Sequence, residues 1–115
     1  MFVVAFLSGC GLFDEVWHSD DVFTGAFAWG FEASDFRKCG ATEKWWVSTE
    51  STEVSEELIN TYLGITGDEW YREVRIKVRG RRSVRGQYGH LGAYTRELTV
   101  ESVLEMRALE EGECR

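Results

Sequence analysis

Residues 22–36 read VFTGAFAWGFEASDF and form the longest strand-like stretch of the chain. Its odd-numbered positions carry large rings at Phe23, Phe27, Trp29 and Phe31, whereas the even-numbered positions are mostly small. Because successive side chains of a strand point to opposite faces, one face is aromatic and the other is small. Two glycines within the stretch permit the bend or bulge with which such a strand turns from one sheet into the next. The pattern predicts a strand that wraps around a compact barrel.

One helix is predicted in the middle of the chain. Apolar side chains recur at three- and four-residue spacing from Val54 to Leu63, which is one face of a short helix. Ser51 or Thr52 can cap its first turn, and glutamates near that end interact favourably with the helix dipole. Gly64 can end the helix. We expect the apolar face to plug one end of a barrel.

Three further strands are predicted, at residues 43–48, 70–79 and 96–107. The strand at 70–79 alternates a core face with a charged, mostly basic face. The strand at 96–107 also alternates, but Val103 breaks the alternation and can mark a β-bulge. The side chains expected to face the core in these last two strands are Trp70, Val74, Ile76, Val78, Leu98, Val100, Leu104 and Met106.

The order strand, strand, helix, strand, strand resembles an oligonucleotide/oligosaccharide-binding (OB) barrel. We therefore predict a mainly β fold, a small antiparallel, partly open β-barrel that is OB-like and has one short helix. An OB barrel has five strands, and only four are evident here. The fifth is expected in residues 48–53, in residues 86–94 or in a division of the first strand. A helix packed on an open antiparallel sheet is the alternative architecture.

The sequence Leu7-Ser8-Gly9-Cys10 follows an apolar run at the start of the chain. It resembles the lipobox of bacterial lipoproteins, in which the cysteine is lipidated, becomes the new N-terminus and is held at a membrane. No Lys or Arg precedes the apolar run, which departs from the usual secretory signal. Gly11, where inner-membrane lipoproteins have Asp, is similar to the outer-membrane sorting pattern. The alternative is that residues 1–7 form an ordinary buried strand.

The resemblance implies a domain organisation and a location. Residues 1–9 would be a truncated signal peptide and residues 10–21 the lipidated cysteine with its tether. The β-barrel domain would occupy residues 22–109, followed by a C-terminal tail at residues 110–115. No apolar run reaches the length of a membrane-spanning helix. The protein would be anchored through its lipid, at the outer membrane and facing the periplasm.

The chain has three cysteines. If Cys10 carries lipid, Cys39 and Cys114 remain as a pair that the oxidising periplasm would bridge. In a cytosolic protein both of these thiols would be free instead. The lipobox and the disulfide are therefore linked expectations.

The formal net charge is −7, yet residues 72–85 contain seven basic side chains and one acidic one, a local charge of +6. Such a basic edge predicts a contact for an anionic partner, such as lipid head groups, an envelope glycan or an acidic protein surface. Alternatively, its arginines pair across strands with Glu97, Glu101 and Glu105. The arginines assigned to the contact are Arg79, Arg81, Arg82 and Arg85.

Residues 86–94, GQYGHLGAY, are the second part of the predicted contact. Glycines let this backbone come close to a ligand, and Tyr88, His90 and Tyr94 supply rings with polar tips beside the basic edge. The alternative is a long hairpin in which His90 bonds a backbone carbonyl and the tyrosines cover the barrel end.

No motif of a nucleophile elbow, a zinc protease, a phosphate-binding loop or a C-x-x-C pair occurs in the sequence. We therefore expect no enzyme, no cofactor and no metal site. The predicted function is that of a membrane-anchored envelope lipoprotein, a non-catalytic binding or structural module for an anionic envelope component or a protein partner. One alternative is a soluble OB-type binder of oligosaccharide or of nucleic acid, the latter disfavoured by the net charge. A small hydrolase or inhibitor acting through His90 is another.

Overall fold

The computed structural model describes residues 21–114. The predicted signal peptide, Cys10 and nearly all of the tether lie outside these described residues. Within them the chain forms five strands, one α-helix and one turn of 3-10 helix. Their bounds are β1 Asp21–Gly30, β2 Ala33–Lys38, β3 Trp45–Thr49, α1 Thr52–Thr66, β4 Val74–Arg82, the 3-10 turn His90–Gly92 and β5 Glu97–Ala108.

The strands close into a barrel in the order β1-β2-β3-β5-β4, with β4 paired back to β1. The predicted OB-like β-barrel with one helix is confirmed. The barrel is closed rather than partly open as expected, and one of its five pairings, β3 with β5, is parallel rather than antiparallel. This pairing is parallel because α1 carries the chain from the end of β3 to the start of β4, and β4 then turns back into β5.

The fifth strand arises by division of the predicted first strand. Phe31 and Glu32 form a two-residue turn between β1 and β2, and Glu32 adopts a left-handed backbone with φ 63°. β1 pairs with β2 along one edge and with β4 along the other. A Cβ on Gly25 would lie 2.2 Å from the carbonyl oxygen of Arg37. Glycine is therefore needed where β1 passes between its two neighbours.

Helix α1 seals the barrel core. Leu58 and Tyr62 are buried, and the Tyr62 ring meets the Phe27 ring edge-on with centroids 5.4 Å apart. The Tyr62 hydroxyl donates a hydrogen bond of 2.7 Å to the carbonyl oxygen of Arg72. The phenol can thus be buried because its polar tip has a partner.

The predicted start of the helix is confirmed and its predicted end is wrong. Ser51 is the N-cap, and its hydroxyl accepts a hydrogen bond from the backbone N–H of Val54. The helix passes through Gly64 and ends at Gly67, where φ is 66° and the N–H donates to the carbonyl oxygen of Leu63. Thr66, beyond Gly64, is still buried, so tertiary packing extends the helix by almost one turn.

Trp70 was expected in the core and lies instead in the loop before β4, which begins at Val74. Its side chain is 52% exposed, and its ring packs edge-on against Trp29 with centroids 6.0 Å apart. Tyr71 has a left-handed backbone with φ 66°, so the strand cannot extend back to Trp70.

The β-bulge predicted at Val103 is confirmed, and it corrects the predicted core face of β5. Val103 pairs with Val78, and Glu105 pairs with Lys77. Leu104 is therefore the extra residue between these pairs. It is 44% exposed, whereas Val103 packs against the core. The expectation that Leu104 faces the core is wrong because a second register shift, with Glu101 as the extra residue between the Arg79–Ser102 and Gly80–Val100 pairs, reverses the alternation before Val103. The bulge at Leu104 then returns the inward face to Met106.

The C-terminal tail folds back onto the barrel. The sulfur atoms of Cys39 and Cys114 lie at disulfide-bonding distance across a sequence separation of 75 residues. Next to them, Arg37 donates a hydrogen bond of 2.9 Å to the carbonyl oxygen of Cys114. The tail is thereby joined to the chain that follows β2.

Glu113 provides a second attachment for the tail. Its carboxylate accepts a 2.6 Å hydrogen bond from Arg107 and lies 3.2 Å from Nε of Arg75. The hydrogen bond from Arg107, followed by one from the Glu110 N–H, lowers the pKa of Glu113 to about 2. Above pH 4.5 the ionised carboxylate therefore stabilises the attachment of the tail. This contribution to stability is lost as the pH falls from 4.5 through about 2.

We predict that Cys39→Ser with Cys114→Ser lowers the free energy of unfolding by up to about 4 kcal/mol, because the cross-link no longer restricts the unfolded chain. Urea unfolding with and without a reductant measures this. The reductant should destabilise the parent protein to a similar extent and leave the double variant unchanged. Equal stability of parent and variant without reductant would contradict a bridge between these cysteines.

Candidate functional site

The loop between β4 and β5, residues 83–96, lies across the outer face of β3 and β2. A Cβ on Gly89 of this loop would lie 2.5 Å from the Trp46 indole, so the backbone rests directly on that ring. The Tyr94 ring meets the same indole with centroids 5.3 Å apart. In OB barrels, this strand face and the two loops beside it form the ligand-binding surface. Here the β4–β5 loop covers part of that face.

The loop is an ordered hairpin of its own. Tyr88 and Tyr94 pair through two backbone hydrogen bonds of 2.9 and 3.1 Å. The Tyr88 hydroxyl donates to the carbonyl oxygen of Val84 at 2.9 Å. Leu91, in the 3-10 turn at the tip, has a left-handed backbone with φ 57°. The expected hairpin is present, and it covers the strand face rather than a barrel end.

Two side chains of the loop reach β2 and the β1–β2 turn. Nε2 of His90 lies 3.6 Å from a carboxylate oxygen of Glu32 in that turn. The hairpin alternative, in which His90 bonds a backbone carbonyl, is therefore wrong about this partner. The Tyr94 hydroxyl donates a hydrogen bond to the Asp35 carboxylate on β2. Burial and then this hydrogen bond raise the pKa of Tyr94 to about 12. The loop thus spans the distance from β4 and β5 to the β1–β2 turn.

Glu43 holds the two ends of the loop. Its carboxylate accepts hydrogen bonds from the Thr95 hydroxyl at 2.5 Å, from Arg85 at 2.7 Å and from the Trp45 indole at 3.2 Å. These three hydrogen bonds, with that from Thr95 the largest, lower the pKa of Glu43 to about 2. Glu43 is therefore the charged anchor that joins the loop to the segment before β3.

The basic edge is largely engaged in ion pairs. Arg81 lies 2.9 Å from Glu101 and 3.5 Å from Glu50, Arg75 pairs with Glu105 and Arg85 pairs with Glu43. The cross-strand pairing expected for Glu101 and Glu105 is confirmed. That expected for Glu97 is wrong, because its carboxylate accepts from the Ser48 hydroxyl. Of the other two predicted contact residues, Arg79 lies exposed on the outward face of β4, and Arg82 is exposed at its end.

A cleft of about 500 Å³ opens where β2 and β3 separate. Their ladder consists of two residue pairs, Asp35 with Trp46 and Phe36 with Trp45. Beyond it, the Ser34 hydroxyl donates to the carbonyl oxygen of Val47 at 3.0 Å. Besides Ser34, the polar and aromatic lining of the cleft consists of two indoles, three hydroxyl side chains and one carboxylate: Trp29, Trp46, Ser48, Thr49, Ser55 and Glu32. The rest of the lining is apolar or glycine: Gly30, Ala33, Val47, Leu58 and Ile59.

Sequence reasoning missed this cleft. The only signal was that residues 43–48 have bulky side chains on both faces, which leaves one tryptophan of the pair outside the core. Trp45 is buried and Trp46 faces outward. Trp46 then contributes both to the cleft and to the surface under the β4–β5 loop.

Within residues 21–114, no three side chains of the metal-binding types are grouped to hold an ion. No helix of the same described part is long and apolar enough to cross a membrane. Comparison with family models, curated proteins and solved structures finds no match to this chain.

We predict that the loop loosens as the pH falls from 4.5 through about 2, because protonation of Glu43 removes the charge that its three donors stabilise. Amide hydrogen exchange of residues 85–95, followed by NMR, measures this. Glu43→Gln should speed that exchange at neutral pH. Glu113→Gln is the matched control, since it removes a carboxylate with the same lowered pKa at the tail. Equal loop exchange in all three proteins would contradict the anchoring role.

Proposed function

We propose that this protein is a non-catalytic binding module that lipid on Cys10 anchors at the outer membrane, facing the periplasm. The observation that carries the proposal is the approach of Cys39 and Cys114 to disulfide-bonding distance. Stable disulfides belong to oxidising compartments such as the periplasm. Pairing of these two cysteines also leaves Cys10 as the unpaired one, as the lipobox resemblance requires.

The direction of β1 supports a binding face that points away from the membrane. The tether would enter the barrel at Asp21, where β1 begins. The strand has ten residues and therefore spans about 30 Å. The β1–β2 turn, with Glu32 and the contact to His90, lies at its far end. An anchored protein would present this end to envelope partners.

The character of the candidate site supports binding rather than catalysis. The face around Trp46 and the loop consists of rings, hydroxyls and paired carboxylates, which contact and orient a ligand. His90 lies near Glu32 at an exposed position, where the pair connects two loops. The basic edge supports an anionic partner less well, because Arg81 and Arg85 already pair with carboxylates. A nucleic-acid ligand is not favoured for the same reason.

We predict that the full reading frame, expressed in a bacterium, yields a protein whose N-terminal peptide begins at Cys10 and carries a diacyl or triacyl mass. Mass spectrometry of the intact protein and of that peptide measures this. Cys10→Ala should abolish the added mass and release the protein from the membrane fraction. An unmodified chain that keeps the residues before Cys10 would overturn the anchored function.

A further inference from the structure

We propose that the cleft between β2, β3 and α1 binds uncharged sugar units of an envelope glycan. This inference rests on the proposed function, because it names the ligand class of that binding module. The cleft volume of about 500 Å³ falls within the range of small-ligand sites, about 300–1,000 Å³. It is the size of a site for a few sugar rings rather than for a folded partner.

The two indoles of the cleft are held in place by other rings. Trp29 contacts Tyr62 and Trp70 with ring centroids 6.4 and 6.0 Å apart. Trp46 is held by Tyr94 from the β4–β5 loop. An indole fixed in this way presents a rigid apolar surface, and little side-chain entropy is lost when a ligand packs on it. The C–H face of a sugar ring is a suitable ligand for such a surface.

Hydroxyl groups beside the indoles match the other face of a sugar. The hydroxyls of Thr49 and Ser55 make no hydrogen bond within residues 21–114 and line the cleft. Ser34 donates to Val47, so its hydroxyl keeps its capacity to accept. Ser48 donates to Glu97 and accepts from the Thr99 hydroxyl, which leaves it one further lone pair. These groups can exchange hydrogen bonds with sugar hydroxyls. The cleft therefore combines stacking surface with both donors and acceptors.

The charge of the lining excludes anionic ligands. No Lys or Arg is among the lining residues, and the single ionisable one is the carboxylate of Glu32. A phosphate or carboxylate in the cleft would have no counter-charge there. An uncharged polyhydroxylated ligand needs no such counter-charge.

Exposed rings next to the cleft extend the stacking surface. Phe31 is 68% exposed and lies between Gly30 and Glu32, both of which line the cleft. Trp70, also exposed, contacts Trp29. Exposed apolar side chains that adjoin a groove, rather than lie scattered singly, mark ligand-binding surfaces. A chain of several sugars should therefore bind more tightly than a single sugar.

The test titrates the full-length protein with uncharged tetrasaccharides of glucose and of N-acetylglucosamine, and monitors heat and tryptophan fluorescence. The corresponding monosaccharides and a sulfated tetrasaccharide are the comparison probes. We expect at least one neutral tetrasaccharide to bind at least about tenfold more tightly than its monosaccharide and than the sulfated probe. If neither neutral tetrasaccharide binds, the proposal is overturned.

Two variants localise the binding. Ser55→Trp on α1 should fill the cleft and weaken binding at least about tenfold, whereas Asn60→Trp, at an exposed position of the same helix, should leave affinity unchanged. Circular dichroism and thermal unfolding check the fold of both. Thr49→Val, which removes one hydroxyl, should weaken binding about fivefold. This variant tests the cleft if Ser55→Trp does not fold.

The outcomes separate this proposal from the anchored function. Lipid on Cys10 without binding of neutral tetrasaccharides overturns the cleft proposal alone. A protein that carries no lipid on Cys10 but binds a neutral tetrasaccharide, with Ser55→Trp abolishing that binding, overturns the anchored function. The protein is then a soluble oligosaccharide binder. The protein prefers the sulfated probe if the ligand binds at the basic edge instead. Arg81→Glu with Arg82→Glu then removes that preference, Ser55→Trp leaves it unchanged, and the cleft proposal is overturned.

Discussion

The pairing of β1 along both of its edges is the constraint on which the barrel depends. β2 occupies one edge and β4 the other, and the backbone of β2 comes close enough at Gly25 to exclude a side chain. With both edges satisfied, the aromatic face of β1 turns inward, and Phe27 becomes fully buried against Tyr62 of α1. Closure also gives every strand two neighbours, so only short stretches of strand edge, such as those beside the two-pair β2–β3 ladder, stay unpaired.

The same closure creates the candidate site. β2 turns back sharply at Phe31 and Glu32 to pair with β1, and it remains paired with β3 over only two positions. The cleft opens where that short ladder ends, and α1 forms its other wall. The β4–β5 loop then reaches across Trp46 to the β1–β2 turn. Cleft and loop therefore share one indole, that of Trp46.

Charge is distributed so that acidic side chains hold the loop and the tail in place. Glu43 binds the β4–β5 loop, and Glu113 binds the C-terminal tail, each with a pKa lowered to about 2 by its donors. The arginines that give the β4 region its positive charge are partners in such pairs, as Arg75 and Arg85 show. A local excess of basic residues in the sequence therefore reflects cross-strand pairing at least as much as a surface for anions.

The sequence by itself determined the features that depend on near neighbours. The alternation within β1, the helix start at Ser51 and the bulge at Val103 follow from local periodicity and capping, and all were predicted. Only the tertiary structure decided where the first strand divides, why the helix ends past Gly64 and how Trp46 meets the loop. These features depend on burial after the barrel closes or on contacts between residues far apart in the sequence, such as Trp46 and Tyr94. No local sequence pattern encodes such burial or such contacts. The fold was therefore largely predictable, whereas the cleft existed only once the barrel had closed.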